Sequence, residues 1–395
     1  MIEASDKPEV LRRGVAVFVA ITSLYWISLY VFVPILAPYV EYSGGTLSIT
    51  GVVLSAYGFA QILLRIPVGI VSDRSGRRKP FLAFGFIACM LASLGFVVAP
   101  GPWFMLVARL MHGCSASAWV AFSVFFASYY PPRETVRAMG YLTICQGLSV
   151  MVSSFIGGRL ADLWGWTAPF WASAFVALVG FLALGFVKER VSGPAVRVSS
   201  FHRLRSVLRH RDLVLASAVA VLTHYVIFST IFGFLPTYAQ SIGASKTELG
   251  ILTMLGTLSG SVVSYLTISW IYPRLGPRIT VVLGQVGIGG ATVVIPFLEH
   301  IGPLYISQIV SGFGRGAAYP VLMSLAIRGL PNSDRATAMG FFQAVYAVGM
   351  FSGPIASGWI GSYAGYSGLF FSVGAVAGLN ALIALCLPRR DESKR

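Results

Sequence analysis

The sequence predicts an all-α membrane protein, with twelve transmembrane helices in two pseudo-symmetric six-helix bundles. Three observations carry this. Of the 395 residues, 56% are hydrophobic and only 11% charged, with a mean hydropathy of +0.77, whereas a soluble domain carries roughly 25% charged residues. Apolar runs of about 20 residues recur along the chain, the length a helix needs to cross about 30 Å of hydrocarbon while bonding its own backbone. The second half of the chain also repeats the first at an offset of about 200 residues.

Taken in order, the first six spans fall near 14–40, 47–71, 80–99, 102–126, 138–162 and 167–187. The other six fall near 213–239, 248–270, 279–298, 302–327, 336–361 and 366–387. Span 1 follows a polar opening, Met1 to Arg13, and is too long for the core of a signal peptide, so it reads as retained. The bundles occupy 1–187 and 212–395, joined by a basic linker over 188–211. In the linker, Phe201, Leu204 and Leu208 share one helical stripe among Arg203, Arg205 and Arg209. This is the pattern of a short helix lying on the membrane surface, with a charged tether as the alternative.

The repeat is explicit in the residues. Ala138-Met139-Gly140 matches Ala338-Met339-Gly340, and Gly158, Gly165 and Phe170 match Gly358, Gly365 and Phe370. Gly101-Pro102 matches Gly302-Pro303, and Gly51 matches Gly250. Parallel halves of this kind suit rocking about a central site.

The net charge of +15 is organised by topology. Of 29 Lys and Arg, 24 lie between spans or at the ends on one side, and only Arg159 and Lys246 lie on the other. The positive-inside rule then places both termini and the linker in the cytoplasm of a plasma-membrane protein, with the excess charge facing anionic lipid and not nucleic acid. Cys89, Cys114, Cys145 and Cys386 fall inside spans without paired short spacing, so neither a disulfide nor a metal site is expected. No cofactor, nucleophile–base pair or phosphate-cradling loop is expected either, and the chain does not read as an enzyme or an ATP-driven pump.

Between spans 2 and 3 stands Gly69-Ile70-Val71-Ser72-Asp73-Arg74-Ser75-Gly76-Arg77-Arg78-Lys79. Gly69 permits close helix packing, Asp73 can accept backbone or Arg hydrogen bonds, and Gly76 can take the positive φ of a tight turn. The segment resembles the signature loop of the major facilitator superfamily, Gly-x-x-x-Asp-Arg-x-Gly-Arg-Arg. That resemblance implies a secondary transporter working by alternating access, with Gly69, Asp73, Arg74, Gly76 and Arg77 forming a cytoplasmic gate. Asp73 would latch onto the start of span 11, near Ala336, at the positive end of that helix. The equivalent second-half loop, Tyr272 to Arg278, keeps Arg and Gly but lacks the Asp, so the second latch is expected to be weaker.

Span 4 carries Arg109-Leu110-Met111-His112-Gly113, which resembles the superfamily's Arg-x-x-x-Gly element on a cavity-lining helix. Span 5 has Ser149, Ser153, Ser154, Gly157 and Gly158 where drug antiporters of the superfamily show a Gly-Pro-centred motif. The fuller version, Gly349, Gly353, Pro354 and Gly358, stands in span 11.

An ionisable group in hydrocarbon costs at least about 2.5–3.5 kcal/mol, so such groups face cavities and mark function. Arg315 lies about midway along span 10 and Arg109 nearer the outer end of span 4, while Arg65 lies roughly 10 Å above the inner end of span 2 at 1.5 Å per residue. The resemblance implies that spans 1, 4, 7 and 10 line the cavity, making Arg109 and Arg315 the expected substrate contacts. Tyr319, one turn from Arg315, with Tyr25, Trp26, Phe228, His224 and Gln343, completes the expected substrate site. His112, at i+3 from Arg109, and His224 are the expected proton carriers. All 14 acidic residues fall in loops or at span ends. A cavity with positive charge and no acid should attract carboxylates, sulfates or phosphates. The expected function is transport of a small anion, with an amphiphilic drug/proton antiporter as the alternative. The expected partners are the solute, a proton and membrane lipid, with the monomer as the functional unit.

Overall fold

The computed structural model of the chain describes residues 8–130, 135–187, 189 and 209–389. The linker stripe at Phe201, Leu204 and Leu208 lies outside these residues. The first half comprises α1 (Pro8–Tyr30), α2 (Val33–Tyr42), α3 (Leu47–Ser75), α4 (Lys79–Val98), α5 (Pro102–Ser117), α6 (Trp119–Ala127), α7 (Thr135–Trp164) and α8 (Ala168–Ala183). The second comprises α9 (Arg211–Ser229), α10 (Leu235–Ser241), α11 (Lys246–Leu266), α12 (Tyr272–Val294), α13 (Ile301–Ile327) and α14 (Asn332–Ala384).

Among the described residues, nine helical runs are long and apolar enough to cross a membrane. Two of them, Lys246–Phe297 and Thr337–Ala384, are 52 and 48 residues long, and each turns at a glycine of positive φ, Gly276 at 74° and Gly365 at 66°. Each therefore holds two passes. The 27-residue α13, which carries Arg315, supplies one more and brings the total to the twelve expected.

The repeat extends to backbone conformation. Six of the left-handed glycines form matched pairs, Gly44 and Gly243 at φ 92° and 93°, Gly76 and Gly276 at 61° and 74°, Gly165 and Gly365 at 88° and 66°, while Gly329 at 72° has no counterpart among the described residues. Side-chain ties repeat as well. Lys79 Nζ donates to the Val187 carbonyl at 3.0 Å, and Arg278 Nε to the Leu387 carbonyl at 2.6 Å, each holding the loop after the second span to the end of its own half.

Spans 1 and 7 are broken at the same level, at Val31–Phe32 between α1 and α2, and at Thr230–Phe234 between α9 and α10. Proline accounts for both breaks. Pro34 and Pro236 stand in the first turns of α2 and α10, where they remove the N–H that would bond four residues back and crowd that carbonyl. The broken backbone is buried in protein, where irregular chain is tolerated in a membrane.

The apolar packing is unequal across the molecule. On the face away from the basic loops, the far face, one cluster runs through both halves, from Phe32, Phe96 and Phe170 to Phe234, Leu249 and Phe370. Toward the basic face there are two clusters: Phe18, Phe86 and Phe122 pack inside the first half, while Leu213, Leu322 and Phe342 of the second half share theirs with Tyr57 and Ala116 of the first. Glycine makes the far-face contact possible. A Cβ on Gly51 would stand 3.2 Å from the Gly358 Cα and 2.3 Å from the Pro354 carbonyl oxygen, and one on Gly158 3.1 Å from the Gly250 Cα and 2.4 Å from the Lys246 carbonyl oxygen. The residues paired by the sequence repeat thus meet crosswise, α3 against α14 and α7 against α11. Outward, Leu91, Trp103, Phe175 and Trp359 are exposed, as a lipid-facing surface requires.

The break in span 1 is itself wedged against α7, where a Cβ on Gly157 would stand 1.5 Å from the Val31 carbonyl oxygen. Gly157→Ala should therefore destabilise the protein by about 1–3 kcal/mol through overpacking. Gly140→Ala on the same helix, with nothing within 4 Å, should hold the melting temperature or raise it, by up to about 1 kcal/mol of stability, since alanine is the better helix former. Equal melting temperatures for the two variants in detergent would contradict this account.

Candidate functional site

At the level of the two helix breaks, Leu29, Tyr30, Val33, Tyr57, Arg109, Phe228 and Phe232 line about 200 Å³ of space, in slots too thin for a water molecule. Both halves contribute. Tyr57 of α3 stacks on Phe228 of α9 with centroids 6.1 Å apart, and Tyr30 of α1 meets Phe232 edge-on at 5.6 Å.

Arg109, on α5, is the charge in this lining. Its side chain is 3% exposed, with the guanidinium 4.4 Å from the Tyr57 ring centroid and 5.9 Å from that of Phe32. Its Nε has no hydrogen-bond partner, and no carboxylate pairs with the group among the described residues. A cation over a ring recovers about 2 kcal/mol when desolvated, against a desolvation penalty of several kcal/mol.

A second cation adjoins. Arg65 of α3, 6% exposed, donates from Nη1 to the Gln343 carbonyl at 2.9 Å and to the Tyr346 hydroxyl at 3.0 Å, bridging the first half to α14. Tyr346 lies flat on His224, with centroids 4.0 Å apart and planes 5° apart, and Tyr319 meets the same imidazole edge-on at 5.7 Å. His224 donates from Nδ1 to the Ala220 carbonyl at 2.8 Å.

The structure thus gathers Arg109 and Phe228 in the lining, with His224 and Tyr319 beside it. Others stand elsewhere. Tyr25 is packed inside the first half against Phe86 and Phe122, its hydroxyl donating to the Ser115 carbonyl at 2.6 Å, because this core position offers a backbone acceptor. Trp26 stands behind Tyr30, with its other side on Trp119. Gln343 reaches the site with its backbone carbonyl, which accepts from Arg65. His112 lies between Phe32 and Phe96 with Nε2 on Ser93 at 3.0 Å, within the first half. Arg315 is not among the residues of this lining; its Nη2 and Ile231 of the span 7 break both stand beside Gly256 of α11.

Tyr57, Tyr346 and the bridging role of Arg65 were not anticipated, because the expected lining rested mainly on spans 1, 4, 7 and 10. The signal available was Arg65 itself, a charge two helical turns from Tyr57 in an otherwise apolar run.

At the proposed gate, Gly76 caps α3 at φ 61°, as expected of a tight turn. Gly69 corrects its expected role. A Cβ there would meet only Val120, at an ordinary 3.5 Å, so close packing does not require glycine. Arg74 and Arg77 are exposed, and the Asp73 side chain lies outside the described residues. The loop is held by Glu189, whose carboxylate accepts from the backbone N–H groups of Arg78 and Lys79 at the start of α4.

The family model of the Major Facilitator Superfamily matches residues 18–240 and again 217–395. The chain belongs to this superfamily. It is therefore a multi-pass membrane protein and a secondary transporter. Similar proteins include the inner membrane transport protein YajR of Escherichia coli, 23% identical over 94% of this chain and 83% of that protein. The multi-drug resistance efflux pump PmrA of Streptococcus pneumoniae is 24% identical over 85% of each. Among solved structures, a bacterial homolog of the human lysosomal transporter Spinster, inward-facing and occupied, superposes with a TM-score of 0.79 at 14% identity over 99% of both chains. The human organic anion transporter MFSD10 (TETRAN) superposes at 0.70 and 18% identity, over 96% of this chain and 100% of that one. At these identities the solved structures speak to the fold.

The Arg65 bridge is testable by stability. Tyr346→Phe removes an acceptor from a buried cation and should lower unfolding free energy by about 1.5–3 kcal/mol. Tyr39→Phe, which removes a neutral bond to the Phe96 carbonyl at 3.3 Å, should cost about 1 kcal/mol. A larger loss at Tyr39 in denaturant titration would count against the bridge.

Proposed function

We propose that this transporter carries a small organic anion across the plasma membrane by alternating access, with the basic face in the cytoplasm. The observation that supports the anion is Arg109, a buried guanidinium facing the space between the halves without a carboxylate partner. A carboxylate, sulfate or phosphate on the solute completes it. Guanidinium binds such groups bidentately with charge-assisted hydrogen bonds roughly twice as strong as neutral ones. The rings of Tyr30, Tyr57, Phe228 and Phe232 favour a solute with an apolar or planar part.

Sidedness rests on the 24 Lys and Arg of one side against 2 on the other. With one apolar cluster running through both halves on the far face, the conformation is closed to the outside. The bundles of 1–187 and 212–395 then rock about the central space, and one chain supplies both walls, so a monomer suffices. His224 is the titratable group beside the site, and proton coupling falls to it.

Export of amphiphilic drugs is the second reading, favoured by the aromatic lining and by the names of relatives such as PmrA. Substrate charge separates the two. Aromatic and aliphatic carboxylates at 100 times their dissociation constant should stabilise the purified protein by about 2.7 kcal/mol. Arg109→Ala should weaken that binding by about 10- to 100-fold, equivalent to roughly 1.5–3 kcal/mol. Stabilisation by lipophilic cations alone, unchanged in Arg109→Ala, would replace the anion reading with the second.

A further inference from the structure

The far-face contact consists of two seams related by the internal repeat, and the two are chemically unequal. In the α3–α14 seam, the N–H of Ser48, the second residue of α3, donates to the Ser362 hydroxyl at 3.0 Å, and the two hydroxyls bond at 2.6 Å. The equivalent position in the α7–α11 seam is Thr247, the second residue of α11. Its N–H donates to the Asp162 carboxylate at 2.7 Å, the Lys246 N–H donates to the same carboxylate at 3.1 Å, and the Thr247 hydroxyl bonds it too. Asp162 and Ser362 are 200 residues apart, the repeat offset.

Both helix starts carry a side-chain cap, and α11 adds a capping box in which the Glu248 carboxylate accepts from the Ser245 N–H at 2.7 Å. Thr46 caps α3 by accepting from the Ile49 N–H, and Ser245 caps α11 by accepting from the Glu248 N–H, both at 3.3 Å. Each cap leaves the first two N–H groups of its helix without an intrahelical partner. On α11 both are satisfied from the opposite half by a carboxylate at the positive end of the helix dipole, the placement that favours an anion. On α3 one is satisfied, by a neutral hydroxyl. These bonds exist only while the far face is closed.

We propose that Asp162 is the positioning residue that sets the balance between the far-face-closed and far-face-open states, with the α7–α11 seam as the strong seam and the Ser48–Ser362 seam as the weak one. The inference rests on the alternating-access reading given above. It concerns the relative stability of two conformations and is independent of which solute binds at Arg109. Asp162 stands at the far-face end of α7, where its side chain is exposed.

The test measures the opposite end of the molecule, so that loss of a local cap is not mistaken for a change of conformation. Spin labels replace Tyr141 on α7 and Tyr265 on α11, both exposed, in a full-length chain carrying Cys114→Ser and Cys386→Ser. The distance distribution between them is read by pulsed electron resonance. Asp162→Ala should move population by several-fold toward the shorter distance, because opening the far face closes the basic face. Ser362→Ala should move it by less than twofold. Adding Ser362→Asp to Asp162→Ala, which places a carboxylate at the start of α3, should restore most of the long-distance population.

An unchanged distribution in Asp162→Ala, with the melting curve retained, overturns the proposal. So does an equal shift from Ser362→Ala. A single broad distribution that does not respond to any of the three variants would overturn the alternating-access reading itself, since no second state is then present to be populated.

Discussion

Everything in this structure depends on how closely two backbones approach at the far face. Where Gly51 passes Gly358 and Gly158 passes Gly250, a Cβ would meet backbone at 2.3–3.3 Å, and no side-chain rotation relieves a contact with backbone. Association inside lipid has no hydrophobic drive of its own and rests on packing and hydrogen bonds between helices. Small residues at the crossings are therefore what allow the two halves to share one apolar cluster. With the far face fixed in this way, the helix breaks at Val31–Phe32 and Thr230–Phe234 are held at one depth, and the ring-lined space follows from their alignment.

The energetics of that space are set by two guanidiniums with different arrangements. Arg65 has found acceptors across the interface, a carbonyl and a phenol, and ties the halves together as a neutral network with one charge in it. Arg109 has found only the faces of rings. A buried cation left in that condition is held in place by the rest of the fold, which is the usual situation of a group whose partner arrives with the solute. The serine-rich interior of the first half, with Ser93, Ser173 and Ser28 linked to His112 Nε2, leaves His112 Nδ1 without a partner and plays no part in the lining.

Much of this was legible in the sequence, and the reasons differ by feature. The twelve passes follow from run length, since lipid leaves the backbone no alternative to helix. The crosswise seams follow from the repeat, because Gly51 with Gly250 and Gly158 with Gly358 are matched in sequence before they meet in space. Arg109 was identifiable as a charge in an apolar run. Arg315 shared that signal, and its guanidinium stands beside Gly256 of α11, a neighbour that one chain's periodicity does not reveal. The same limit hid Tyr57 and Tyr346, whose value lies in contacts from the opposite half. Tyr25 shows the converse: an aromatic on a cavity helix whose hydroxyl found a carbonyl within its own bundle.

The Tyr57–Phe228 stack has a consequence for solute shape. The two rings, one from each half, are nearly parallel at 17° with centroids 6.1 Å apart. A flat solute lying between them needs carbon contacts of about 3.5–4.0 Å on each side, so the planes must stand about 7–8 Å apart. A flat solute therefore asks the halves to part by about one ring thickness at this level, whereas a globular solute demands a much wider separation. With the solute bound here as proposed, the stack would work as a thickness gauge, passing sheets more readily than spheres.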